Sequence, residues 1–261
     1  MSFTIVTSLV NINRENWPHY QRRWSEYKQY MQNILRMNVP MCIFVEEETV
    51  AFVQECRKNY PRTKINIISI QDYRLYDRVE DILSIQQDPN YRKMCVEDPC
   101  PEINIPWYDV VVNNKIDFLL RASKENPFAT DYFFWLDAGY GHCKFIIPEG
   151  HIPDFSGYIR LASQGKIAVN NLKDAMTSED PVQFFKDHQD FIDGGLVAGS
   201  RNAIERLHNL YYKLIEDTMQ IGIIDDDQYF MAMTYAQNKD LVCPVRIPGW
   251  HYRKEIIMGH S

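Results

Sequence analysis

No two of the six cysteines in this 261-residue chain form a C-x-x-C pair, and Cys42 and Cys56 fall in segments that read as a core strand and a core helix. Reduced thiols are therefore expected at Cys42, Cys56, Cys95, Cys100, Cys143 and Cys243, which argues against a disulfide scaffold. No stretch reaches the roughly 18 to 20 apolar residues of a membrane span. Met1-Ser2-Phe3-Thr4-Ile5-Val6 has no basic region leading into a cleavable apolar segment. The expectation is a soluble, cytoplasmic protein, unless a leader or anchor was trimmed. Positive charge is in deficit: 28 Lys and Arg against 35 Asp and Glu give a net charge of -7. That balance argues against a general nucleic-acid binder, while leaving room for a local basic groove that takes a phosphorylated ligand. Repeats, low-complexity tracts and linkers are missing as well, so nothing forces a second domain, and the length suffices to bury a sizeable core.

Strand and helix patterns alternate through the first third. Phe3 to Val10 mixes β-branched and small polar residues and is predicted as a strand with Thr7, Ser8 and Leu9 at its carboxyl end. His19 to Met37 follows as a helix, whose Tyr20, Trp24, Tyr27, Met31, Ile34 and Leu35 form a stripe expected to be core. Met41 to Val45 reads as a strand, Thr49 to Tyr60 as a helix closed by Pro61, and Lys64 to Ile70 as a third strand. Such alternation implies right-handed crossovers and a parallel sheet, the architecture of a nucleotide-binding half-domain.

Asp72 to Pro106 is polar and tyrosine-rich, an irregular or short-helical excursion. Val110 to Lys124 reads as one helix, with Val112, Ile116, Leu119 and Leu120 buried, Asn114, Asp117 and Arg121 opposite, and Lys115 flanking the seam. Beyond the centre, Tyr158 to Ala162 and Ile167 to Val169 read as strands, Asp180 to Asp190 as a short helix, and Phe191 to Ser200 as a glycine-marked strand. Helices are expected over Asn202 to Gln220 and Asp225 to Asn238, then strand and loop from Leu241 to His251.

The centre is Phe133-Phe134-Trp135-Leu136-Asp137-Ala138-Gly139. Four bulky apolar residues predict a strand buried on both faces. The run stops at a carboxylate followed by small residues, where backbone can approach a ligand at the strand's carboxyl end. Asp137 there suits a hard divalent cation carrying a diphosphate, or alternatively an Asx turn. Three other islands have similarly paired readings. In Asp193-Gly194-Gly195, the aspartate is a sugar ligand or a turn residue at a β-bulge. In Asp225-Asp226-Asp227-Gln228, Asp225 and Gln228 make a capping box, leaving Asp226 and Asp227 as candidates for a base or a sugar contact. In Trp250-His251-Tyr252-Arg253-Lys254, an imidazole completes a metal site, an indole stacks and a cation meets phosphate, or all are ordinary surface residues. His142, near Asp137, competes for the metal role.

Taken together, WLDAG after a buried strand, the preceding Asn126-Pro127-Phe128-Ala129-Thr130-Asp131, and the following DGG-x-x-x-G and DDQ resemble the HtrL/YibB family of glycosyltransferase-like proteins, over about Val112 to Gln228. The resemblance implies one GT-A-like α/β domain over residues 1–261. It would have a Rossmann-like nucleotide-binding half (1–137) with a mostly parallel central sheet, and a mixed acceptor-side half (138–261). It also implies Mn2+ or Mg2+ held by a D-x-D element on the donor diphosphate. Here Asp137-Ala138-Gly139 supplies the first carboxylate and has glycine at the second place. By similarity to glycogenin-like transferases, His251 would complete the metal site. Thr7, Ser8 and Leu9 would face base and ribose; Lys115, Arg121 and Lys254 would reach donor phosphate or sugar; Ala138, Gly139 and Trp250 would line the donor. Asp193, Asp227 and Gln228 would surround the transferred sugar and acceptor, with Asp193 or Asp227 as the base of an inverting reaction.

The expected function is a hexosyltransferase moving a sugar from a UDP-sugar or related nucleotide-diphosphate sugar to a hydroxyl on a glycan, protein or lipid. The rival is a catalytically silent nucleotide- or sugar-binding protein of the same fold, which the missing second acid makes credible. A metal-dependent phosphohydrolase needs a companion aspartate that the sequence does not offer at hydrolase spacing. No nucleic-acid partner and no membrane span are expected.

Overall fold

The computed structural model describes residues 2–95, 100–142 and 145–259, so Cys143 and the side chain of His142 lie outside the described residues. In chain order the regular elements are β1 (Phe3–Leu9), α1 (Trp24–Leu35), β2 (Met41–Val45), α2 (Glu47–Arg57) and β3 (Thr63–Ile67). Two short helices, α3 (Val79–Gln87) and α4 (Pro89–Met94), occupy the polar excursion. Then come α5 (Pro106–Asn113), α6 (Lys115–Glu125), β4 (Tyr132–Leu136), α7 (Ser156–Ser163), β5 (Ile167–Asn171), α8 (Pro181–Asp187), β6 (Ile192–Ser200) and α9 (Arg201–Gln220). The chain closes with α10 (Asp227–Gln237), β7 (Val242–Arg246) and α11 (Arg253–Met258).

All seven strands share one sheet in the order β3-β2-β1-β4-β6-β5-β7. Every pairing is parallel except those of β6, which runs antiparallel to both β4 and β5. The mixed α/β class and the mostly parallel sheet are as expected. Because helices cover both faces, the central strands alternate between two cores: Phe133 and Trp135 enter one, Phe134 and Leu136 the other. Phe134 stacks on Phe155 at 4.6 Å between centroids and meets Tyr158 edge-on.

Several boundaries differ from the sequence expectation, each for a physical reason. The first helix starts at Trp24, not His19, because Tyr20 has a left-handed φ of 54° that no helix accepts. The segment 110–124 is two helices that meet at Asn114, whose buried Oδ1 accepts a hydrogen bond from the Arg74 backbone N–H at 2.8 Å. Asn114 thus faces inward rather than sharing the solvent side. Tyr158 to Ala162 is helical: Tyr158, Ile159 and Ala162 are buried at one-, three- and four-residue separations, the spacing of one helix face. The third strand ends at Ile67, and Ile70–Asp72 is a 3-10 turn whose Asp72 caps Ser69. The cap of α10 is Asp226 rather than Asp225, since the Asp226 carboxylate accepts from the Gln228 and Tyr229 backbone N–H groups.

Phe134 is fully buried in the middle strand. Phe134→Ala is expected to lower unfolding free energy by about 3–5 kcal/mol, read from urea or guanidinium midpoints at constant m-value.

Candidate active site

β1 and β4 run side by side and parallel, so Ser8 and Leu9 end at the same sheet edge as Asp137. A cleft of about 250 Å³ opens there, and its floor is built by Asp137, Lys115, Gly194 and Asp227. Lys115 is the first residue of α6, a helix end where the dipole disfavours a cation. Lys115 is nevertheless only 4% exposed, a burial its ammonium tolerates because three acceptors take its three hydrogens. It donates to Asp227 Oδ2 at 2.7 Å, to the Gly194 carbonyl at 2.9 Å and to Asp137 Oδ1 at 3.2 Å. Asp137 Oδ1 also accepts from Trp135 Nε1 at 2.6 Å, while the Asp137 side chain keeps 36% exposure to the cleft.

A second ion pair backs the first. Asp193, fully buried, accepts a bidentate pair of hydrogen bonds from Arg253, and further bonds from the Gly195 N–H and from Asn170. The Arg253 guanidinium lies over the Tyr140 ring at 4.9 Å and the Trp250 ring at 4.6 Å, so its place in the cleft wall is fixed from several directions. Two glycines make both pairs fit. A Cβ on Gly194 would stand 1.9 Å from Asp227 Oδ2, and one on Gly195 would stand 2.9 Å from both Arg253 Nη2 and Tyr140 Cδ2.

Burial pushes the Asp227 carboxyl up to about 8 against the pull of Lys115, and the Asp226 and Asp137 carboxylates push in the same direction. For Lys115 burial works against the charge, but Asp137 and Asp227 outweigh it and raise its pKa. Lys115 thus keeps its proton, and Asp227 is the partner whose ionisation the site resists. Behind it Asp225 is raised by burial and by Asp226, and Asp226 by burial alone among its larger causes.

Of the residues singled out in the sequence, Ser8, Leu9, Lys115, Asp137, Ala138, Gly139, Asp227, Gln228 and Trp250 line this one cleft. Thr7 is buried with its hydroxyl unpartnered among the described residues, Asp193 lies beneath Arg253, and Arg121 reaches over Phe44 and Phe118 instead of the cleft. His251 and Lys254 are exposed and outside the cleft lining, and the His251 ring lies against Gly249. The structure adds residues that the sequence reading did not assign: Arg14, Arg22 and Tyr108 line the cleft, as do Trp24 and Tyr27, which helical periodicity had placed in the core. Arg22 lies over the Tyr27 ring at 5.3 Å, an aromatic-cation pairing that no helical stripe reveals.

Asp137 offers a carboxylate to the cleft, the hard oxygen donor that Mg2+ or Mn2+ accepts together with substrate phosphate oxygens. Among the described residues Asp137 belongs to no group of three protein donors; that arrangement occurs at Cys100, Glu102 and His188. The residues therefore fit an ion that arrives with a diphosphate rather than one caged by protein alone.

A family model described as "Bacterial protein of unknown function (HtrL_YibB)" matches residues 1–251. The chain belongs to the HtrL_YibB family. The match thus extends well beyond the Val112–Gln228 islands. Protein HtrL of Escherichia coli (strain K12) is a relative of this family member, 25% identical over 253 residues, with 92% of this chain and 86% of that protein covered. Among solved structures, mouse xyloside xylosyltransferase 1 in its apo form gives a TM-score of 0.47 at 9% identity, covering 94% of this chain and 85% of that one. The 4-diphosphocytidyl-2C-methyl-D-erythritol synthase of Anaerococcus prevotii DSM 20548 gives 0.40 at 8% identity, covering 94% and 86%. At such scores neither activity nor substrate transfers. Among the described residues no helix is long and apolar enough to cross a membrane.

The raised Asp227 has a consequence for stability. A carboxyl whose folded pKa lies above its ordinary value of 3.8 binds more protons folded than unfolded, so its contribution is complete in acid and is lost as pH rises towards about 8. Asp227→Asn should flatten the fall of unfolding free energy across that window by up to about 1.4 kcal/mol per pH unit, measured by denaturant melts at several pH values.

Proposed function

We propose that this protein is a glycosyltransferase that takes a nucleotide-diphosphate sugar, UDP-sugars first among them, and passes the sugar to an acceptor hydroxyl. One observation carries the reading. In a chain of net charge -7, the cleft at the strand ends gathers Arg14, Arg22, Lys115 and Arg253 against Asp137, Asp227 and, behind Arg253, Asp193, and of these Asp227 resists ionisation. Such a cleft favours a strongly anionic ligand at the carboxyl ends of parallel strands.

In this reading the aromatic rim of Trp24 and Tyr27 receives the base, and Ser8 to Asn11 follow the ribose. Arg22 and Arg14 meet the outer phosphate oxygens as charge-assisted donors. Asp137 would hold a Mg2+ or Mn2+ ion, which when bound offsets charge on the departing diphosphate. Lys115 keeps the Asp137 carboxylate aimed into the cleft and adds fixed positive potential beneath the leaving group, without reorganising as charge develops there. Arg253, held by Asp193, does the same from the opposite wall; Asp193 acts as a positioning residue because its oxygens are committed to Arg253, Gly195 and Asn170. Asp227 and Gln228 face the cleft on the acceptor side, and Asp227 accepts a proton only in its ionised form, which burial resists and Lys115 favours. The supporting facts are placement, charge and family resemblance.

The test is release of nucleoside diphosphate from a panel of nucleotide sugars with Mn2+ or Mg2+. Asp137→Asn, with folding intact by circular dichroism, should lower kcat/KM by about 10²–10³-fold, the cost of one lost charge-stabilising group. Arg22→Gln should raise KM about tenfold, as for one charge-assisted hydrogen bond. Nucleotide binding without release across the panel would instead support the silent binding protein.

A further inference from the structure

A second cluster lies behind the amino end of α10, away from the cleft floor. Cys100 precedes the 3-10 turn Pro101–Ile103 that carries Glu102, and His188 ends α8, with a φ of 43° that swings the chain out of the helix. The Cys100 Sγ and His188 Nε2 atoms are 3.9 Å apart, and each of the three side chains offers a ligand atom within 4.8 Å of the other two. Cys100 is buried, Glu102 half-buried and His188 exposed.

We propose that Cys100, Glu102 and His188 form a binding site for a borderline-soft divalent transition metal of the zinc class, distinct from any ion that accompanies a diphosphate at Asp137. A tetrahedral zinc ion with thiolate, imidazole and carboxylate ligands sets its donors about 3.4–3.6 Å apart, so the observed spacing needs only side-chain contraction. Sulfur, nitrogen and oxygen in one set select against Mg2+ and Ca2+, which prefer oxygen alone. Adjoining space exists: a cavity of about 50 Å³ is lined by Glu102, His188, Asp190, Asp225, Asp226 and Gln228. Gln228 Oε1 is buried there without a hydrogen-bond partner among the described residues.

In the metal-free form the Cys100 thiol donates a hydrogen bond to Glu102. On binding, that thiol proton leaves to solvent and sulfur and carboxylate turn to the ion, with the fourth position left to water. The site carries three protein donors and sits against the turn that leads into α10. Its role is thus to join the turn after Cys100 to the end of α8, beside the Asp225–Gln228 turn whose Asp227 and Gln228 reach the cleft.

The test uses the full chain, stripped with chelator and titrated with Co2+ and Zn2+. One equivalent of Co2+ should give a thiolate-to-cobalt charge-transfer band that Zn2+ abolishes. Cys100→Ser should remove the band, whereas Cys56→Ser and Asp137→Asn should leave it. His188→Gly, which keeps the left-handed backbone without strain, should weaken Zn2+ binding by about 10- to 100-fold while the variant stays folded. Zn2+ should raise the melting temperature of the unsubstituted chain and not of His188→Gly. Failure to bind at one equivalent, a band that survives Cys100→Ser, or Zn2+ affinity unchanged in His188→Gly would each overturn the proposal. None of these readouts depends on sugar transfer, so their failure is separable from failure of the functional reading.

Discussion

The site depends on a single buried ammonium. Lys115 joins the start of α6, the end of β4, the first part of β6 and the start of α10, because Asp137, the Gly194 carbonyl and Asp227 each take one of its hydrogens. Few other groups would do. Arginine has five donors in a rigid fork and would leave some unsatisfied in this space, and an apolar side chain would leave Asp137 and the buried Asp227 without the cation that favours the ionised form of Asp227. The arrangement is expensive in desolvation, and its return is a fixed positive centre that points one carboxylate outward.

The antiparallel β6 is what makes this geometry reachable. A fully parallel sheet would bring another strand's carboxyl end to the cleft. β6 instead passes the end of β4 in the opposite direction, with Leu136 opposite Leu196, and so presents Gly194 and Gly195 beside Asp137. The Asp137 N–H donates to the Gly195 carbonyl at 3.0 Å, which ties the strand end to the glycine pair. Absence of side chains at 194 and 195 lets Asp227 approach from one side and Arg253 from the other. The two halves of the chain therefore share both the sheet and the floor of the cleft.

Much of this was legible in the sequence where the signal is local. The run Tyr132–Leu136 ends in Asp137, and buried strands of four or five apolar residues have no other common explanation in a sheet covered on both faces. The glycines of β6 and the acids before α10 likewise announced close approach and capping, although the cap fell on Asp226 because helix phase, which composition does not set, decides which oxygen reaches the N–H groups. What was not legible depends on long-range placement. Trp24 and Tyr27 continue the helical stripe of Met31, Ile34 and Leu35 and pack against the same core, but they also line the cleft, which periodicity alone does not reveal. Arg14 and Arg22 belong to an irregular stretch, and only the fold brings them opposite Lys115. Asp193 read as either a sugar ligand or a turn residue at a β-bulge, and neither reading shows that Arg253, sixty positions on, bonds both its oxygens.

The charge layout has one further implication for how such a cleft works. Lys115 and Arg253 are each neutralised within the protein, by Asp137 with Asp227 and by Asp193, so their fields fall off over a short range. Arg14 and Arg22 are half-buried at the rim and are held mainly by neutral partners, Arg14 by the Tyr20 carbonyl and the Tyr27 hydroxyl, Arg22 by the Tyr27 and Tyr30 rings. Rim cations with neutral partners act over the Debye length and draw an anion in, whereas the paired cations below act only on a group already in contact. Capture and orientation are thereby assigned to different residues: the arginines before α1 set encounter, and the buried pairs, which cannot move without breaking several bonds, set where the anion's charge must lie.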